Sequence, residues 1–128
     1  MKQSATMDVQ CLERIINHIG SIKKAFEFFK IRALTDFVNS DVCQLAVTQA
    51  ITNISELRRK LSTDTLDKLI LFSKMGIVLK TARNIAGHDY EMLDFGIIFD
   101  TANKLQRKQL LDEMEVMIDE LADDKQGD

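Results

Sequence analysis

The chain of 128 residues has no proline, no tryptophan, a single tyrosine, two histidines, two cysteines and five glycines. With helix breakers this scarce, and with Leu, Ile, Ala and Lys abundant, an all-helical domain is the first expectation. No apolar run approaches the roughly 20 residues that span a bilayer. The opening "MKQSATMDVQ" carries no apolar block of the signal-peptide kind. The expected location is therefore the cytoplasm, away from any membrane. Cys11 and Cys43 sit inside apolar helical stripes without a CxxC motif, so they read as buried free thiols rather than a disulfide or a metal site. No metal ligand set is expected.

What the chain does have is a strong helical period. At this length it is expected to form one domain, residues 1–121, followed by an acidic, disordered tail, 122–128. The first helix is expected to start near Met7 or Asp8, with Asp8 as its N-cap. Leu12, Ile15, Ile16, Ile19, Ile22, Phe26 and Phe29 then recur at three- and four-residue spacing. Turn and capping residues interrupt the pattern from Thr35 to Asp41. A second helix is predicted from Asp41 to Leu61, burying Leu45, Val47, Ala50, Ile51, Ile54, Leu57 and Leu61. Ser62 or Asp64 can cap a third helical region from Thr65 to Ala86, which Gly76 can bend or split. Gly87 suits the left-handed position that ends it. A last helix is predicted from Asp94 to Leu121. These elements make an antiparallel up-and-down bundle of four to five helices.

The charge is uneven. Residues 112–128 hold eight acids and one lysine, a local balance of −7, which leaves the other 111 residues at +4. A mildly basic body can meet a polyanion that the overall pI of 5.4 would argue against. The triplet Arg58–Lys60 and the pair Arg107 and Lys108 read first as solvated faces, with contact to an RNA backbone as the alternative.

The stretch "RNIAGHDY" gathers Arg83, Asn84, His88 and Tyr90. Arg83 and His88 are five apart, about 140° around a continuous helix. They meet only if Gly87 breaks the helix. Such a cluster suits phosphodiester cleavage without a metal. Histidine both takes and gives protons near neutral pH, and arginine offers a planar donor fork to a phosphate gaining charge. The only other histidine is His18, which falls off the main apolar stripe and reads as a boundary residue. One chain is therefore short of an acid–base partner, and a two-fold dimer would supply Arg83 and His88 twice. Spacing alone leaves the alternative open: an arginine near a helix end and a histidine just past it also interact favourably with the last carbonyls.

The segment resembles the HEPN superfamily, and within it the HepT-like toxins, whose pattern of Arg, four residues, His, any residue, Tyr stands here as "RNIAGHDY". The similarity continues into "YEMLDFGIIF" and upstream into "AVTQAITNISELRRKLS", with Glu56 in the family's Glu position and Phe37 just before the second helix. It spans roughly Phe26 to Phe99. Four packing positions depart from the pattern: Gly76 and Phe99 replace tryptophans, and Ser55 and Thr81 replace glycines. The resemblance implies a HEPN-like helical bundle that forms a homodimer. Arg83 and His88 of both copies would line a cleft that cuts RNA without a metal or cofactor, with Asn84 and Glu56 as supporting, RNA-binding residues. It further implies an MntA-like minimal nucleotidyltransferase antitoxin that uses ATP to add AMP to Tyr90. The alternative within the same superfamily is a non-catalytic nucleotide- or RNA-binding module that assists a partner nucleotidyltransferase. A purely structural helical adaptor is the third possibility.

Overall fold

The stripe Leu12, Ile15, Ile19, Ile22 and Phe26 comes round to one side of a 3.6-residue helix, and the chain obeys it over α1 (Lys2–Phe28). All five are buried, and Ile16 and Phe29 pack at their margin. The computed structural model describes the backbone of residues 2–86 and 92–127, and the side chains of 5–85 and 95–123. Among these residues the protein is all-α, with eight helices and no strand. None of the helices is long and apolar enough to cross a membrane.

The start of α1 differs from expectation. The helix begins at Lys2, so Asp8 lies inside it rather than at its N-cap. Asp8 is buried, and its carboxylate accepts hydrogen bonds from Ser62 N (3.0 Å), Ser62 Oγ (2.6 Å) and Thr65 Oγ1 (2.5 Å). A residue suited by chemistry to cap its own helix instead braces the start of another, 54 residues away in sequence. At the far end, Lys30 adopts φ 56°, Ile31 N donates to Phe26 O and Lys30 N donates to Glu27 O. This closes the helix in a left-handed turn that buries Ile31 beside Phe26.

Helix α2 (Leu34–Val38) is short, and Asp36 secures its start by accepting from Arg32 N and Ala33 N. It delivers Phe37 to the core, where that fully buried ring meets Phe26, Phe95 and Phe99 at centroid distances of 6.1, 6.4 and 5.8 Å. Gln44 Nε2 closes the other end by donating to Phe37 O and Val38 O.

Helix α3 (Asp41–Lys60) follows the predicted span but not the whole predicted stripe. Leu45 is 63% exposed, while Cys43 is fully buried. The inward series is Cys43, Val47, Ala50, Ile51, Ile54, Leu57, and Leu45 lies about 200° around from Cys43. Both cysteines are free and buried, and burial raises both thiols above their ordinary range.

The third helical region is three helices: α4 (Thr63–Lys68), α5 (Ile70–Ser73) and α6 (Gly76–Ala86). Ser62, not Asp64, is the cap of α4, its Oγ accepting from Thr65 N. The chain breaks at the fully buried Leu69 and again before Gly76. The predicted last helix is likewise two, α7 (Met92–Leu105) and α8 (Lys108–Gly127). Leu105 and Leu110, both buried, flank the break between the two helices. The expected four to five helices are thus eight among the described residues. Helical backbone also continues through most of the segment 122–128.

Helix α1 packs mainly on α3 and α8, and α6 lies on α3 and α7. Glu113 of α8 fastens α5 by accepting from Leu71 N (2.9 Å) and Phe72 N (3.2 Å). Because Asp8 is the shared acceptor of one backbone and two hydroxyl donors, Asp8→Ala is expected to lower unfolding free energy by about 2–3 kcal/mol. Urea denaturation measures it, and a loss below about 0.5 kcal/mol would contradict this bracing role.

Candidate functional site

Between α3 and α6 the side chains leave a cleft of about 660 Å³, a size ordinary for a small-ligand site. Its walls follow from helical spacing. Ser55, Arg58 and Arg59 are three and four residues apart on α3; Gly76, Lys80 and Arg83 are four and three apart on α6. Lys74 comes from the turn before α6. Five cations therefore line one concavity, and none of its described lining residues is acidic.

Arg83 stands in the last turn of α6, with 26% of its side chain exposed. Its Nη1 donates to Glu56 Oε1 at 3.0 Å, and the other oxygen of Glu56 takes Arg59 Nη1 at 3.5 Å. Glu56 is half exposed at the edge of the cleft, so one carboxylate partly neutralises two guanidiniums there. Pairs this accessible to water are worth under about 1 kcal/mol and exchange readily for another anion. Asn84, the next residue along, is exposed. The structure thus brings Arg83 and Glu56 together and puts Asn84 beside them. His88, Tyr90 and the proposed helix-ending Gly87 lie outside the described residues.

Arg58 was placed by the sequence among solvated charges, and the structure corrects this. Its guanidinium lies 5.8 Å from the centroid of the Phe72 ring, and Nη2 donates to Ser73 O at 3.1 Å. Nε is buried with no hydrogen-bond partner among the described residues. Burial pushes its pKa below the ordinary guanidinium range, although an arginine stays charged at neutral pH. Gly76 makes the room: a Cβ there would stand 2.8 Å from Arg58 Nη2 and 3.2 Å from Cζ. Lys74, Lys80 and this use of Gly76 are the features that sequence reasoning missed. The available signal was a lone glycine preceding a helical run whose lysine and arginine are four and seven residues on.

His18 is partly buried on α1, as a boundary residue should be. Burial, and then the charge of Arg14, lower its pKa below the ordinary 6.5, so it is neutral at pH 7.

No protein-family model, curated protein or solved structure matches this chain.

Because the unfolded state protonates His18 more readily than the folded state, its contribution to stability is present above pH 6.5 and is lost as pH falls toward the lower folded value. Titration of the imidazole C–H signals by NMR is expected to give His18 a midpoint below 6.5. A midpoint above that value would refute the burial argument.

Proposed function

We propose that the protein is a metal-independent endoribonuclease of the HepT-like kind, working in the cytoplasm as the toxin of a toxin–antitoxin pair. Its protomer is read as a HEPN-like bundle, whose longer helices α1, α3, α6, α7 and α8 carry the shorter ones as connections. The observation that supports this reading is the position of Arg83. It lies in the last turn of α6, five residues before His88, on the rim of a cleft lined by four further cations. In a purely structural adaptor Arg83 would be sealed in an ion pair away from any cleft, yet here its partner is a half-exposed carboxylate that a phosphate can replace.

In the proposed reaction, an RNA 2′-hydroxyl attacks the adjacent phosphorus and the 5′-oxygen leaves. His88 handles the protons, and Arg83 donates to the equatorial oxygens as charge accumulates on the phosphorane. A homodimer bringing two copies of the segment to one axis supplies an imidazole for each proton transfer. Glu56 and Asn84 support Arg83 and the RNA strand. The silencing step joins Tyr90 to AMP: the phenolic oxygen bonds to the α-phosphorus of ATP, pyrophosphate leaves, and the partner nucleotidyltransferase catalyses it. The new anion then competes for Arg83. A non-catalytic RNA- or nucleotide-binding module is the second reading, favoured by the fact that Glu56 already neutralises part of Arg83.

Arg83→Ala and His88→Ala are each expected to reduce RNA cleavage and growth inhibition by at least about 100-fold. Loss of the exposed Arg83–Glu56 pair should change unfolding free energy by less than about 1 kcal/mol. Full cleavage by a well-folded His88→Ala variant would falsify the catalytic assignment. For the modification, mass spectrometry after incubation with the partner nucleotidyltransferase and ATP is expected to find AMP on Tyr90. An unmodified Tyr90 in that reaction would remove the proposed off-switch.

A further inference from the structure

We propose that Arg58, Lys74 and Lys80 form a second phosphate-binding subsite in the α3–α6 cleft, which holds the backbone of a single RNA strand leading to Arg83. The inference rests on the ribonuclease reading for the identity of the strand, and on the cleft itself for the binding chemistry.

Charge comes first. Glu56 serves Arg83 and Arg59 at one edge, whereas Arg58, Lys74 and Lys80 form no ion pair among the described residues. Like charges gathered in a concave, partly desolvated space repel one another, and their combined field attracts a polyanion. Arg58 is also held rather than loose. Ser73 O takes Nη2, the Phe72 ring supports it, and the guanidinium lies against the missing side chain of Gly76. Fixing a long side chain in this way lowers the entropy lost when it grips a phosphate. A solvated charge would need none of these supports.

Spacing then separates this subsite from the proposed cutting site. Gly76, against which Arg58 rests, and Arg83 are seven residues apart on α6, about 10 Å along its axis. A rise of that size suits successive phosphates of a strand, with Lys80 between them. Ile77 also lines the cleft and is 82% exposed, offering an apolar surface to a sugar or base that inorganic polyphosphate would not use.

The test uses the full-length protein and a 2′-O-methyl oligoribonucleotide of about eight residues, within the ordinary range for single-strand sites. Such a strand cannot be cut, so binding is read apart from cleavage by fluorescence anisotropy over a range of salt concentrations. Lys74→Gln and Lys80→Gln are each expected to weaken binding several-fold and to reduce the salt slope by about 0.7, the value for one lost single-strand phosphate contact. Arg58→Gln should do the same. Should it fail to fold, the two exposed lysines still decide the matter. A Lys74→Gln/Lys80→Gln double variant that keeps the wild-type affinity and slope would overturn the subsite, even in a protein that cuts natural RNA. Failure of the wild-type protein to bind the oligonucleotide would overturn it as well. The expected slope losses in a protein that cuts no RNA would leave the subsite standing and remove only the ribonuclease reading.

Discussion

The position of Arg58 between α3 and α6 is the contact on which the cleft depends. An arginine on a helix surface ordinarily extends into water, but here its planar head covers Phe72, bonds Ser73 O and fills the space that Gly76 leaves. That arrangement ties the end of α3 to the turn before α6. Lys80 and Arg83 of α6 line the same cleft. The cost is a buried Nε without a partner among the described residues and a partly desolvated cation. Desolvation of that kind is tolerated where a charge is held for an incoming anion, and it is wasteful on a face that only needs solubility.

Around this contact the rest of the fold works as a set of polar braces on an apolar bundle. Asp8 anchors the start of α4 to α1, Glu113 anchors α5 to α8, and Gln44 closes α2. Each joins segments far apart or makes a sharp local stop, and each satisfies backbone or hydroxyl groups that short helices would otherwise leave open. Short helices need this because they form few internal hydrogen bonds. Leu69, Phe72, Met75 and Leu79 are all buried across the breaks that separate α4, α5 and α6.

The electrostatic asymmetry acquires a location. The cations near the end of α3 and along α6 meet in one cleft, while the acids from Asp112 to Asp124 belong to α8, which packs on α1 and reaches α5. Among the described residues Glu56 is the carboxylate that reaches Arg83, and its partial exposure makes the pair an exchangeable contact rather than a permanent seal. For the proposed ribonuclease this means that Arg83 is held in place before a phosphate arrives and is released to it on arrival.

Sequence alone determined the all-α class, the reach of α3, the inward stripe of α1 and the burial of both thiols. These depend on local period and composition, which a single helix expresses by itself. Its spacing also singled out Arg83, and a family resemblance pointed to Glu56, 27 residues away and here joined to it at 3.0 Å. Only the tertiary structure decided that Asp8 braces a distant helix, that Leu45 faces outward and that the two long C-terminal runs divide into five helices. It also decided that Arg58 turns inward. Three of those outcomes depend on a partner far along the chain: Ser62 for Asp8, Glu113 for the start of α5, Gly76 for Arg58. Spacing can state which face a residue occupies, but what lies opposite that face is settled only when the helices pack.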